Sequence, residues 1–158
     1  MRVLTKIALT AALVFTAASC ATAQPEMPER DYVTRTSPHG VEETARRLAD
    51  AVEAKGATVF AVVDHAENAR SADMTLPPTT LVIFGNPKIG TPFMTSSRRA
   101  GLDLPVRVLV FEKDDVTQLT YLAPAALAAR HGVTNRAEAV AAMTKALDGL
   151  TGAAIAAD

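Results

Sequence analysis

The sequence predicts an α+β domain in which an antiparallel β-sheet carries helices on one of its faces. Five segments have the β-branched and aromatic composition of strands, and the last four follow one another through turns or short loops. Consecutive strands joined in this way favour antiparallel pairing. Two longer segments each carry one apolar stripe at helical spacing, so each helix packs through a single side. The predicted order is strand, helix, four strands and helix, in two layers.

The first strand and the first long helix are predicted over residues 32–56. Residues 32–36 alternate like a half-buried strand, and Ser37 followed by Pro38 is typical of a helix start. The helix is amphipathic, and its predicted core positions are Val41, Ala45, Leu48 and Val52. Gly56 ends this helix, because glycine tolerates the left-handed backbone of a helix terminus.

The remaining elements follow from apolar runs and from the residues that interrupt them. Further strands are predicted over residues 58–63, 79–84, 104–113 and 116–122. Asp114 and Asp115 form the turn between the last two strands. Shorter and longer helices are predicted over residues 93–100, 124–130 and 135–150. Asn135 and Glu138 have the spacing of a capping box at the start of the last helix.

Residues 1–23 have the features of an export signal. Arg2 and Lys6 precede an apolar run of 12 residues, which is too short to span a bilayer. The sequence leaves two export routes open. Cleavage after Ala23 gives a soluble periplasmic protein, whereas lipidation of Cys20, in a sequence that resembles a lipobox, anchors the protein to a membrane.

Composition narrows the classes of function. Removal of residues 1–23 takes away two of the 16 basic residues, which leaves 14 basic against 17 acidic residues. This balance, without a basic stripe, argues against nucleic-acid binding. Cys20 is the only cysteine, so the exported domain has no thiol chemistry. Residues 24–31 are predicted to be a flexible leader, residues 32–150 one domain, and residues 151–158 a loose tail.

The segment TTLVIFGNPKIGTP, over residues 79–92, is the first candidate for a ligand site. A buried-strand run ends at Gly85, and glycine and proline then interrupt the chain twice. Backbone amides in such a loop are free to face a ligand. Gly85, Asn86 and Lys88 are therefore a candidate anion site. The alternative is a structural turn in which Asn86 bonds its own backbone.

Further candidates each have a structural alternative. Asp64 and His65 lie at the end of the second strand. In the functional interpretation His65 is a general base or a metal ligand. In the structural alternative Asp64 caps the next turn. Arg107, in an otherwise apolar strand, needs an acceptor, which is either a ligand carboxylate or a carboxylate of the chain such as Asp103. Tyr121 either contacts a ligand or lies in the core with its hydroxyl bonded.

Histidine and methionine raise two more alternatives. His131 is a candidate acid or base, with Arg107 or Lys88 holding an anionic substrate. Thioether and imidazole ligands suit Cu(I), and the side chains concerned would be Met74, Met94, His65 and His131. No metal-ligand spacing connects these residues, so no metal site is predicted.

Taken together, these features resemble a family of small bacterial domains known as domain of unknown function 302. The matching features are Asp64-His65-Ala66, Pro78-Thr79-Thr80-Leu81, Phe84-Gly85-Asn86-Pro87, Gly90-Thr91-Pro92, Met94, Leu102-Asp103-Leu104-Pro105, Arg107, Tyr121, Pro124 and His131. The resemblance covers essentially the whole predicted domain. It implies a curved antiparallel sheet that holds a long helix, similar to the TATA-binding-protein arrangement, and often a dimer, but it implies no reaction. Where relatives often have a tryptophan late in the fourth strand, this chain has Phe111.

The sequence therefore predicts an exported, non-catalytic domain that binds a small anionic ligand or a protein partner and acts as a homodimer. One alternative is an enzyme that uses His65 or His131 as acid or base. The other is a periplasmic metal-handling protein. Contact with a membrane is expected only if Cys20 carries a lipid.

Overall fold

The computed structural model describes residues 31–157, within which five strands form one antiparallel sheet. The strands are β1 (Tyr32–Thr36), β2 (Thr58–Asp64), β3 (Thr79–Gly85), β4 (Val106–Lys113) and β5 (Val116–Leu122). Their spatial order is β1-β5-β4-β3-β2. The predicted export signal, its lipidation candidate Cys20 and most of the predicted leader lie outside the described residues.

Within residues 31–157, five α-helices and one 3-10 helix accompany the sheet. They are α1 (Val41–Ala54), α2 (His65–Arg70), α3 (Pro87–Ser96), the 3-10 helix (Arg98–Leu102), α4 (Pro124–Arg130) and α5 (Ala137–Ala154). The two long helices, α1 and α5, contact each other, and both contribute to the single core. No helix within residues 31–157 is long and apolar enough to span a membrane.

Strand alternation divides the sheet into an inner and an outer face. The inner face carries fully buried side chains from the three middle strands, which are Val82, Phe84, Val108, Val110, Leu119 and Tyr121. The stripe predicted for α1 and most of the stripe predicted for α5 pack into the same core. The α+β prediction, with both long helices on one face of an antiparallel sheet, is confirmed.

Turn chemistry explains the ends of several elements. Asp114 and Asp115 both have positive φ, 52° and 60°, and they make the predicted two-residue turn of the β4–β5 hairpin. Gly56 has a φ of 70° directly after the last residues of α1, as predicted for a helix end.

Two predicted helix starts are wrong. The residue before α1 is Gly40 rather than Ser37, because the Ser37 hydroxyl is bonded at 2.7 Å to the Thr44 hydroxyl in a buried site. Asn135 does not cap α5, since its side-chain oxygen accepts a hydrogen bond from Ser96 at 2.8 Å. In both cases a tertiary contact takes the polar group that the local pattern assigns to the cap.

Residues 151–157 are part of the packed fold, which corrects the loose tail predicted for residues 151–158 within this described range. Helix α5 continues to Ala154, and both Thr151 and Ala154 are fully buried. The carbonyl of Ala156 accepts hydrogen bonds of 2.8 Å from His39 and from Arg47. Alanine-rich sequence gives little apolar signal, but its small side chains allow this close packing against the start of α1.

Candidate functional site

A half-open cavity of about 770 Å³ lies between one end of the sheet, α3 and α5. The end of β3 and the first turns of α3 form one wall, and α5 forms the opposite wall. The loop before β4 and Phe60 of β2 close the side next to the sheet. The segment over residues 79–92, the first candidate in the sequence, thus contributes a wall of this cavity.

Gly85 shapes the cavity where β3 ends. A Cβ atom at this position would lie 3.4 Å from the Cβ of Pro105 and 3.6 Å from Cε2 of Phe60. Both distances are ordinary van der Waals contacts, so an added methyl group would touch the proline and the aromatic ring without a clash. Asn86 then caps α3 by accepting a 2.9 Å hydrogen bond from the backbone of Lys88. The sequence predicts a loop after Gly85, but the structure has no such loop at this position. The end of β3 is joined to the start of α3 through Asn86 alone.

Helix α3 begins earlier than predicted. A start at residue 93 was expected, but the helix begins at Pro87, with Asn86 at the cap and proline at the first helical position. The predicted helix over residues 93–100 is divided into the second half of α3 and the 3-10 helix. As a result Ile89, Gly90 and Met94 belong to one helix that faces the cavity.

The wall formed by α5 consists of small residues with larger ones beneath. Ala142, Ala146 and Gly149 follow at helical spacing and line the cavity, so that little side-chain volume fills it. Met143 and Leu147 lie behind them in the core and also line it. This wall is not among the sites predicted from the sequence, although three small residues spaced four and three apart are a recognisable signal.

The cavity has apolar walls and two cations. Its aromatic and aliphatic lining includes Phe60, Phe84 and Met94, while its charged lining residues are Lys55 and Lys145, both exposed. No carboxylate among the described residues lines it. Walls of this kind are chemically suited to an apolar molecule, and the two ammonium groups favour a negative charge near them.

The three residues of the predicted anion site are not brought together. Gly85 and Asn86 line the cavity, whereas Lys88 lines a neighbouring groove that includes Asn135 and Arg136. The Asn86 side chain is also committed to the cap of α3. For Asn86 the structure therefore shows the alternative in which the side chain bonds its own backbone turn.

Asp64 and His65 lie at the opposite end of the sheet. Asp64 pairs with Thr80, whereas the cavity end of β3, Gly85, pairs with Thr58. The intervening strand is seven residues long, which corresponds to about 20 Å. Asp64 caps α2 by accepting a 2.9 Å hydrogen bond from the Glu67 backbone, and His65 is the half-buried first residue of that helix.

Asp103 binds two of the predicted candidates. Its carboxylate accepts hydrogen bonds of 2.7 Å from Arg107 and 2.7 Å from Nε2 of His131, and Arg130 approaches to 3.3 Å. Burial alone would raise the pKa of Asp103. The hydrogen bond from His131 and the charges of Arg130 and Arg107 outweigh that effect and hold the pKa below its ordinary value. The acceptor that Arg107 requires is therefore a carboxylate of the chain.

Tyr121 lies in the core, 3 % exposed, with its hydroxyl directed at Asp148 over 3.5 Å. Burial raises the pKa of its phenol. Asp148 in turn accepts a 2.7 Å hydrogen bond from Arg35. Of the two alternatives for Tyr121, the structure therefore contains the core residue with a bonded hydroxyl and not the ligand contact.

The four side chains considered for copper are dispersed. Met94 lines the cavity, Met74 is 66 % exposed in the loop before β3, and His65 and His131 lie in α2 and beside Asp103. Within residues 31–157 there is no group of three or more histidine, cysteine, aspartate or glutamate residues placed to hold a metal ion.

The sequence profile of a known family matches most of the chain. Residues 33–150 match the family described as "Domain of unknown function DUF302". The chain belongs to the DUF302 family. A solved relative, "Crystal structure of uncharacterized conserved protein DUF302 from Bacillus stearothermophilus", superposes with a TM-score of 0.71 at 18% sequence identity. The match covers 78% of this chain and 98% of that one, so the two proteins share the DUF302 fold.

Curated relatives of this DUF302 chain carry the name of a channel. The "Fluoride-specific ion channel FluC 1" proteins of Brucella suis biovar 1 (strain 1330) and Brucella abortus biovar 1 (strain 9-941) are each 46% identical to it over 102 residues. The match covers 64% of this chain. The chain spans 40% of the length of the first relative and 38% of the second.

Proposed function

We propose that this DUF302 protein binds a small amphipathic ligand, with an apolar body and an anionic head, in the cavity between β3, α3 and α5. The observation that carries the proposal is the composition of the cavity lining. Most of the lining is apolar, and its charged side chains are two lysines, Lys55 and Lys145. The sequence pattern independently favours an anionic ligand near Gly85 and Asn86, and both residues line this cavity.

The two parts of such a ligand would be held by different forces. Each methylene group that leaves water for the apolar walls contributes about 0.8 kcal/mol. The lysines lie in solvent, so each contributes at most about 1 kcal/mol to binding of the head group. The apolar body therefore supplies most of the affinity, and the lysines select an anionic head over a neutral one.

The enzyme alternative has less support from the same geometry. Neither His65 nor His131 lines the cavity, and the Nε2 atom of His131 is hydrogen bonded to Asp103. An acid or base must be within hydrogen-bonding reach of the group on which it acts. A binding protein requires no such group.

The sharpest test compares two probes that differ only in the head group. We expect dodecanoate to bind about tenfold more tightly than dodecan-1-ol in calorimetric titrations, because the two lysines act on one probe only. The double variant Lys55→Met/Lys145→Met should lose this difference, and Ala146→Phe, which fills the cavity, should lose both affinities. Lys113→Met, a lysine outside the cavity lining, is the matched control and should leave both unchanged. Binding of neither probe would refute the proposal.

Export is the second part of the proposed function, since residues 1–23 predict a periplasmic protein or a lipid-anchored one. Mass spectrometry of the protein recovered from the cell envelope distinguishes the routes. A chain that begins at Gln24 supports soluble export, and a lipid mass on Cys20 supports the anchor. A chain that retains Met1 contradicts both.

The Brucella relatives favour a second candidate function, as an extramembrane partner of an ion channel. They are named as fluoride channels, and about three fifths of the first one lies outside the match. If this candidate is correct, cells that lack the protein should stop growing at a lower fluoride concentration than cells that have it. Growth in chloride is the control and should be the same in both. Equal fluoride tolerance with and without the protein would argue against this candidate.

A further inference from the structure

The 3-10 helix, with the loop and the start of β4 that follow it, carries two sets of side chains. One set lines the cavity and consists of Gly101, Leu104 and Pro105. The other set is exposed and consists of Arg98, Arg99, Leu102 and Arg107. Residues three apart lie on the same side of a 3-10 helix, so Arg99 and Leu102 project together. An exposed basic segment thus lies directly beside the cavity.

Arg130 of α4 belongs to the same surface. It approaches the carboxylate of Asp103 to 3.3 Å, and Arg107 binds that carboxylate at 2.7 Å. Arg107 also donates a 3.4 Å hydrogen bond to the carbonyl of Leu102. These contacts and the 3-10 helix define a group that we call the basic cluster, and its members are Arg98, Arg99, Leu102, Arg107 and Arg130.

The basic cluster has an excess of positive charge. Asp103 is the carboxylate with which its arginines pair in the described part of the chain, so one negative charge faces four positive ones. Arg98 and Arg99 are exposed, and they form neither a hydrogen bond nor an ion pair with another residue between 31 and 157. Both guanidinium groups are therefore available to an anionic partner.

Leu102 adds an apolar side chain to the basic cluster. Its exposed fraction is 77 %, the highest among the large apolar side chains of residues 31–157. A single exposed leucine is ordinary on a protein surface, but this one has arginines around it. A surface of this composition is suited to a lipid interface, where an apolar side chain enters the acyl boundary and cations bind the head groups.

We propose that the basic cluster docks this end of the domain on an anionic lipid bilayer. Charge complementarity is the first argument, because the arginines present planar N–H donors that match lipid phosphates. The second argument is Leu102, since a bilayer offers a hydrocarbon layer as well as negative charge. An acidic polypeptide offers the charge alone. This contact requires no lipid on Cys20, in contrast to the expectation from the sequence.

Electrostatic attraction of this kind is reversible and sensitive to salt. Each basic residue close to an anionic membrane surface strengthens binding about fivefold. The attraction falls off within a Debye length, which is about 10 Å at an ionic strength of about 0.1 M. Binding by the basic cluster should therefore weaken as the salt concentration rises, whereas insertion of Leu102 alone would not respond in this way.

The position of the basic cluster also concerns the proposed ligand. Docking would bring the cavity to the lipid surface, from which an amphipathic anion could enter it. This consequence rests on the proposed function, but the docking itself does not. No member of the basic cluster lines the cavity, so substitutions in one leave the lining of the other intact.

Cosedimentation with vesicles tests the proposal. The full chain is expressed with its own leader and with Cys20→Ser, so that no lipid tethers it. We expect binding to vesicles of phosphatidylglycerol and phosphatidylcholine in equal amounts, and none to phosphatidylcholine alone. Arg98→Gln/Arg99→Gln should lower the partition coefficient about 25-fold. Leu102→Ser should lower it about tenfold, because less apolar surface enters the bilayer.

Two control variants match these changes at the other end of the sheet. Arg70→Gln/Lys113→Gln removes the same net charge from α2 and from the far end of β4, and Met74→Ser removes an apolar side chain that is 66 % exposed. Both should bind vesicles like the parent chain. All the substituted residues are exposed, so circular dichroism should show an unchanged fold.

Three outcomes would overturn the docking proposal. They are no binding to anionic vesicles, equal binding to both kinds of vesicle, and an equal loss of binding in the cluster variants and their controls. Unchanged binding by Leu102→Ser would also overturn it, since an acidic polypeptide could then replace the bilayer. Dodecanoate titrations without vesicles report on the ligand proposal separately, and Arg98→Gln/Arg99→Gln should bind dodecanoate like the parent chain.

Discussion

His131 donates its Nε2–H to the carboxylate of Asp103 over 2.7 Å, and the two side chains are only 8% and 11% exposed. The bond joins the end of α4 to the loop that precedes β4. The same loop lines the cavity through Leu104 and Pro105. The Asp103 network therefore holds in position one side of the proposed ligand site.

Asp103→Asn should destabilise the fold by about 2 kcal/mol at neutral pH, because it leaves His131 and two arginines without their shared charge partner. Chemical denaturation followed by circular dichroism measures the change. Asp64→Asn is the matched control. Asp64 is an exposed cap, and asparagine caps as well as aspartate, so its unfolding free energy should change by less than about 0.5 kcal/mol.

The effect of Asp103 also depends on pH, with a defined sign. Folding lowers the pKa of this carboxyl below its ordinary value of about 4. A group of this kind stabilises the fold above its unfolded-state pKa, and the contribution is lost as the pH falls through the lower folded-state pKa. The stability difference between the wild type and Asp103→Asn should therefore shrink below about pH 4. A difference that grows on acidification would contradict the network.

Two glycines should respond to alanine with opposite signs. Gly56 has a φ of 70° and no atom near its missing Cβ, so Gly56→Ala should cost about 1 kcal/mol through backbone strain alone. Gly149 lies within α5 at an ordinary φ, also with nothing near its Cβ. Gly149→Ala should raise stability by about 0.5–1 kcal/mol, because alanine favours the helix. Thermal unfolding measures both, and stabilisation by Gly56→Ala would show that the turn is not constrained.

Two phenylalanines near the cavity separate stability from ligand binding. Phe93 of α3 is completely buried, whereas Phe60 is 58 % exposed and lines the cavity. Phe93→Ala should cost about 3–5 kcal/mol of stability. Phe60→Ala should cost less than about 1 kcal/mol while weakening dodecanoate binding several-fold. Equal loss of stability in the two variants would show that Phe60 belongs to the core.

Elements that depend on local pattern were predictable from the sequence. The strand at residues 32–36, the stripe of α1 and the Asp114–Asp115 turn each follow from periodicity or turn chemistry within a few residues. The family was also recognisable, because its motifs are spread along the whole domain.

Contacts between distant residues were not predictable in this way. Asp103 and His131 are 28 residues apart, and Ser96 and Asn135 are 39 apart. Nothing in the local pattern assigns these polar groups to each other. One wall of the cavity was predictable, since Gly85 and Asn86 mark it in the sequence. The other wall consists of small residues of α5, which define it only once α3 and α5 are packed.

Adjacent alanines at the end of α5 test whether this terminus is part of the domain. Ala154 is completely buried and Ala153 is exposed. Ala154→Glu should cost about 3 kcal/mol or more of unfolding free energy, because it forces an unpaired carboxylate into the core or displaces the last turn of the helix. Ala153→Glu has the same change in charge and volume and should alter stability by less than about 0.5 kcal/mol. If residues after 150 formed a loose tail, both variants would unfold at the same denaturant concentration as the wild type, and the contacts of Ala156 with His39 and Arg47 would contribute nothing.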